Sequence, residues 1–322
     1  MDHTGGSAWP YSEAMQRPRL VTAAWLALLW LVNVGLLALL VHASIGTISG
    51  QMLDTVALAG NSLGRRTVDG PLDVALNAVS VVSIVLVLVV IAGVALMRRR
   101  YSLAIMSACV VIGSVATTML LKERWLVRPD FGVDPERSGA GNSLPSGHAT
   151  AAAAFAIGLT LVLPPAARGL ASMMGATYAA VVGIATLSSG WHRPSDVISA
   201  YLIAGGWAAF AGLVLVLAQR RSAVVTSRDR AGWSLGAALA VGSVLTVVGA
   251  SVLAFVFNRM TTPVEAMGSQ LLRIGYLGSA VLVAGAAYLM MAVVLVSLHR
   301  VVPHSKSGAA GAEPATLVGN VS

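Results

Sequence analysis

Charge is what this chain has least of: Asp, Glu, Lys and Arg make up 11% of its 322 residues, against roughly 25% in soluble proteins. With 57% hydrophobic residues and a mean hydropathy of +0.80, that scarcity excludes an ordinary water-soluble domain. Cysteine is nearly absent too. The lone Cys109 lies inside an apolar run, so no intrachain disulfide can form and the redox compartment stays open. The N-terminal stretch lacks a cleavage site after its first apolar run, so no cleaved signal peptide is expected. No repeat of fixed period and no appended soluble domain is visible. The net charge of +8 does not point to nucleic acid, because the basic residues punctuate apolar segments instead of forming a stripe; orientation in a membrane explains them better.

What the chain does have is apolar runs. A bilayer core needs about 20 consecutive apolar residues per helix, and eight segments qualify or come close: 20–44, 74–97, 102–121, 148–163, 170–188, 196–218, 233–257 and 274–298. The expected fold is all-α, a polytopic transmembrane helix bundle. The fourth segment is short and closes on Pro164-Pro165, which stops a helix. The last two are rich in Gly, Ala and Ser, which suits close helix packing in lipid. A polar N-terminal segment (1–19), a basic linker (219–232) and a small polar, flexible tail (299–322) surround these runs.

Basic residues orient the bundle. Arg17, Arg19, Arg98, Arg99, Arg100, Arg168, Arg220, Arg221, Arg228, Arg230, Arg300 and Lys306 all fall on one side if both termini are cytoplasmic, as the positive-inside rule prefers. Loops 45–73, 122–147, 189–195 and 258–273 then lie outside. Lys122, Arg124, Arg128 and Arg137 break the bias and need another reason to be there.

Two of the outer loops carry nearly all the candidate chemistry. The first opens Lys122-Glu123-Arg124-Trp125-Leu126-Val127-Arg128-Pro129 and closes Pro145-Ser146-Gly147-His148. The second reads Gly190-Trp191-His192-Arg193-Pro194-Ser195-Asp196. Lys122 and Arg128 put positive charge at the mouth of the bundle, where an arginine can hold a phosphate with two parallel hydrogen bonds; equally, they snorkel to headgroups. Pro145-Ser146-Gly147 starts a helix whose backbone N–H groups form an anion site, or is a plain cap. Asp196, four residues after His192, can accept a bond from one imidazole nitrogen and leave the other as nucleophile or base. Two histidines, a carboxylate and several cations on one face favour phosphoryl chemistry. The paired carboxylates, Cys ligands and His-x-x-x-His spacing of a metal site are lacking, so neither metal nor cofactor is expected.

These residues resemble the type 2 phosphatidic acid phosphatase superfamily, the integral-membrane lipid phosphate phosphatases. That family's pattern is Lys, six residues, Arg-Pro; then Pro-Ser-Gly-His; then Ser-Arg, five residues, His, three residues, Asp. The second part is complete at Pro145–His148, and the third keeps His192 and Asp196. The resemblance implies a six-span phosphatase core over 20–218, with the helices of 233–298 outside it. It implies that His192 is the nucleophile that becomes phosphohistidine, that Asp196 orients it and that His148 protonates the leaving group. Lys122, Arg128, Ser146 and Gly147 would cradle the phosphoryl group. Two departures stand out. Lys122 precedes Arg128 by one residue too few, which on a continuing helix rotates it by about 100°. Ala185-Thr186 occupies the place of Ser-Arg, with Arg193, Arg124 or Arg137 as substitutes for the arginine and Ser188 or Ser189 for the hydroxyl.

The function this implies is metal-independent hydrolysis of a lipid phosphate or diphosphate, such as undecaprenyl diphosphate or phosphatidic acid, at the extracytoplasmic face of the plasma membrane. The partners are then that lipid substrate and the bilayer, with no nucleic acid; a homo-oligomer stays open. The alternatives are an inactive homologue that binds phospholipid or a partner protein, and a transporter.

Overall fold

The computed structural model describes residues 10–61, 81–134, 142–218 and 232–301. Among these residues the chain is all-helical: α1 (Pro10–Ile45), α2 (Ile48–Ala59), α3 (Val81–Met97), α4 (Tyr101–Leu120), α5 (Gly147–Val162), α6 (Pro165–Ser188), α7 (Pro194–Ala218), α8 (Gly232–Phe257) and α9 (Ser269–Val301). A π-helical turn (Leu121–Trp125) extends α4, and a short 3-10 turn (Val264–Ala266) precedes α9.

Six helical stretches are long and apolar enough to cross a membrane: Leu20–Ile45, Tyr101–Trp125, Pro165–Ser188, Pro194–Ala218, Trp233–Phe257 and Ser269–Ser297. This is the signature of a multi-pass membrane protein. The other two expected spans are shorter. α5 has 16 residues, and α3 is described over 17, its expected start at 74–80 lying outside the described residues. α1 begins at Pro10, inside the segment expected to be a polar lead-in. The expected linker lies outside the described residues except at Gly232, as does the tail beyond Val301. The helix that sequence reading did not anticipate is α2, which occupies part of the expected loop 45–73. Thr47 caps it, its hydroxyl accepting from the Gly50 N–H at 3.0 Å.

Little hydrophobic force drives helices together in lipid, so shape fit and hydrogen bonds do the work. α1 packs along α7, α4 on α5 and α7, α5 on α6, and α9 on α6, α7 and α8. Small residues make these contacts close. Ala149, Ala153, Ala176, Ala179, Ala200 and Ala204 are all buried in one core with Ile157, Val197 and Met291. Between α4 and α5, the Thr118 and Thr150 hydroxyls bond at 2.9 Å, and Ser107 donates to the Gly158 carbonyl at 3.1 Å. At the far end of α5, Arg98 donates to the Val162 carbonyl and Arg168 to that of Leu163 at 3.1 Å. Both are cations of the kind expected inside, and both sit at the end opposite Gly147.

Gly183 on α6 shows how tight the packing is. A Cβ there would collide with the Tyr201 hydroxyl and meet Val197 Cγ1 at 2.7 Å and Val283 Cγ1 at 3.0 Å. Tyr201 cannot retreat freely, because its hydroxyl donates to the Ala179 carbonyl at 2.6 Å. Gly183→Ala is therefore expected to destabilise the bundle by about 1–3 kcal/mol, seen as a lower unfolding midpoint in detergent. An unchanged midpoint would show that α6, α7 and α9 are not pressed together here.

Candidate active site

One end of the bundle gathers the starts of α5 and α7, the π-turn and α2. Ser146 is the N-cap of α5: its hydroxyl accepts from the Ala149 N–H at 3.3 Å, as a serine before a helix is suited to do. Its own N–H donates to the Asp196 carbonyl at 2.9 Å. That bond joins the two expected loops directly, and it commits the Ser146 N–H to the second loop. Gly147 is exposed, and a Cβ on it would meet nothing within 4 Å.

The second loop is anchored to the last turn of α6. The N–H groups of Trp191 and His192 both donate to the Thr186 carbonyl, at 3.1 and 3.2 Å, and α7 then begins at Pro194, where a missing N–H costs nothing. Helix geometry brings Asp196 back onto His192, whose Nδ1 lies 3.2 Å from Asp196 Oδ2. The same oxygen accepts the Arg193 N–H at 2.9 Å. With Nδ1 carrying the shared proton, the lone pair of the imidazole resides on Nε2. His148 stands across from it, the ring centroids 6.5 Å apart and the planes inclined at 62°. Trp191 supports His148 from the side at 5.5 Å and packs on Ala152, Val182 and Ala185.

Two buried arginines complete the cluster. Arg193 donates to Asp134 at 2.7 Å and to Ser143 at 3.1 Å; Arg128 lies 3.5 Å from Asp54. The Nε of each is buried with no hydrogen-bond partner. Buried donors without acceptors are rare and costly, and two side by side with a histidine pair suit an anion with several oxygens.

The structure thus brings together His148, His192, Asp196, Arg128, Ser146 and Gly147. Lys122 lies in the π-turn, half-buried, and forms no ion pair among the described residues. The helix does not continue to Arg128: the Leu126 N–H reaches back to the Leu121 carbonyl at 2.8 Å and the backbone then extends, so the expected rotation of Lys122 does not apply. Thr186 supplies no cation; its hydroxyl turns to the Gly183 carbonyl at 2.7 Å. Of the expected substitutes, Arg193 is in the cluster, Arg124 is exposed and Arg137 lies outside the described residues. Ser188 bonds to the Tyr276 hydroxyl of α9 at 2.7 Å instead. Sequence reasoning missed Asp54, Asp134 and Ser143. Asp54 left one signal, as the lone charged residue in its 12-residue helix.

Gly147→Ala is a clean probe of this arrangement. The methyl has room, so folding should be unaffected, while close approach of an anion to the helix start is obstructed. Turnover is expected to fall by about 10²-fold, the scale of an ångström misplacement, at an unchanged melting midpoint. Full activity would remove the α5 start from the site.

Residues 102–221 match the family model of the PAP2 superfamily. No curated protein matches the chain, and no solved structure does.

Proposed function

We propose that this chain, which through residues 102–221 belongs to the PAP2 superfamily, is a membrane phosphatase that removes phosphate from a lipid phosphate or diphosphate. Members of the superfamily are in general phosphatases, so the coarse activity is hydrolysis of a phosphate ester. The observation that carries the finer reading is the facing pair His192 and His148, one of them oriented by a buried carboxylate.

In the reaction, the Nε2 lone pair of His192 attacks phosphorus while the bond to the leaving oxygen breaks. His148, protonated, gives its proton to that oxygen, so the lipid departs as a neutral alcohol or a phosphate. Asp196 balances the positive charge that builds on the His192 ring. Water then attacks the phosphohistidine, His148 takes its proton, the N–P bond breaks and inorganic phosphate leaves. Positive groups and N–H donors aimed at the phosphoryl oxygens supply most of the stabilisation in such reactions. Arg128, Gly147 and the Ser146 hydroxyl would act this way, with Arg193 in place of the arginine absent at Thr186 and Lys122 as a further cation.

A lipid substrate is supported by what flanks Arg128. Trp125 is 68% and Val127 81% exposed beside a buried guanidinium, as befits a loop lying in the membrane interface. The positive-inside rule puts this end on the extracytoplasmic face, since Arg98 and Arg168 lie at the other.

The test is phosphate release by the purified chain in detergent, with chelator present, from phosphatidic acid, phosphatidylglycerol phosphate and undecaprenyl diphosphate. Release from at least one is expected. No release from any, or release abolished by chelator, overturns the reading. One observation favours a second reading, headgroup binding without turnover: the residue at Thr186 offers no charge.

A further inference from the structure

Asp54 stands outside the family-matching segment, yet α2 delivers its carboxylate into the centre of the cluster. It is 6% exposed. Its Oδ2 accepts from the Ser195 hydroxyl at 2.5 Å and lies 3.5 Å from Arg128 Nη2, while Oδ1 accepts from the Ser195 N–H at 3.4 Å. The placement is built in. One turn earlier on α2, the Gln51 amide donates to the carbonyls of Ile45 and of Pro129, both at 2.9 Å, tying the helix to the residue after Arg128. Val56 packs under Val256, Val264 and Met267, and Gly60 lies against the Leu272 backbone, so α8 and α9 hold α2 in position.

Resting on the phosphate-site reading above, we propose that Asp54 is a positioning residue that competes with the substrate phosphate for Arg128 and must release it for phosphate to bind. Two arginines here face three carboxylates, Asp54, Asp134 and Asp196. A phosphate dianion that takes Arg128 leaves the buried Asp54 carboxylate without its cation, a cost that disappears when Asp54 is neutral. Asp134 is tied to Arg193 by a short ion pair, and Asp196 is bonded to His192 and the Arg193 N–H. Asp54 has the longest ion pair of the three and is the one that can take up a proton.

Its acidity agrees. Burial, and then the neighbouring Asp196 charge, push its pKa up to about 6, against the lowering effects of the Ser195 bond, Arg128 and Arg193. Those are the charges that act on it. The sign follows: below about 6 Asp54 is neutral and Arg128 is released, while above it the carboxylate is charged and holds Arg128 back. Phosphate binding then takes up one proton from solvent, and affinity falls by up to about tenfold per pH unit above that value.

Isothermal titration of inorganic phosphate into the purified full chain tests this, comparing the native protein with Asp54→Asn. Equal affinity is expected at about pH 5.5, and affinity on the order of tenfold or more tighter for the variant at about pH 8. The second ionisation of phosphate itself affects both proteins alike. Ser195→Ala removes a bond that favours the charged carboxylate and should move the native break to higher pH, which keeps the question answerable if Asp54→Asn misfolds. Parallel pH profiles, an unmoved break in Ser195→Ala, or no phosphate binding by the native chain overturns the proposal. A chain that binds phosphate in this Asp54-dependent way but hydrolyses no lipid phosphate defeats the phosphatase reading alone. Turnover with parallel profiles defeats the Asp54 reading alone.

Discussion

Replacing His192 with alanine is expected to lower phosphate release by about 10⁴-fold or more, the scale of losing a covalent nucleophile. The loop should survive the change, because it is the His192 N–H, not the ring, that bonds to the Thr186 carbonyl. The carboxylate of Asp196 would keep the Arg193 N–H but lose the imidazole, so some stability goes with it. His192→Asn controls for that: its amide can still donate toward Asp196 yet offers no nucleophilic nitrogen. Both variants should be inactive, and rapid quenching with labelled substrate should trap an acid-labile phosphoryl group on the native chain only. Retained turnover in His192→Asn would exclude the nucleophile role. A native chain that binds substrate but never becomes labelled would favour headgroup binding instead.

Asp196→Asn should be nearly as damaging, with kcat falling by on the order of 10³- to 10⁴-fold, as in catalytic triads that lose the carboxylate orienting their histidine. Asp196 is wholly buried, and its Oδ2 serves both the His192 ring and the Arg193 N–H. An amide keeps the shape but loses the negative charge that balances the His192 ring as it attacks. Asp196 orients the His192 ring directly and reaches phosphate binding only indirectly, through its charge on Asp54, so the main loss should fall on kcat rather than on KM. The folded structure should persist too, because the Ser146 N–H bonds to the backbone carbonyl of Asp196 rather than to its side chain. A rise in KM at constant kcat would instead make Asp196 a determinant of binding.

Much of this was legible in one dimension because the interactions are local. Apolar runs longer than a bilayer is thick have few soluble alternatives, and Leu20–Ile45 and Trp233–Phe257 are helices close to where the runs lie. A serine before a glycine and a histidine reads as a helix cap, and Ser146 is one. His192 and Asp196 meet because a helix returns every fourth residue to the same side. Length was less legible: α5 is only 16 residues, and α1 begins ten residues before its apolar run.

By itself, then, the sequence determined a helical membrane chain with a Pro-Ser-Gly-His cap and a His–Asp pair, since each depends on residues within a turn or two of one another. Tertiary structure alone decided what surrounds them. Asp54 reaches Ser195 across 141 positions and Gln51 reaches Pro129 across 78; no local periodicity encodes either. It also decided that the Ser146 N–H ties the two loops together rather than facing the site, and that Arg193, held by Asp134 and Ser143, enters the cluster where Thr186 brings no charge. A charge can be read from the sequence, but its partner is chosen by helix packing.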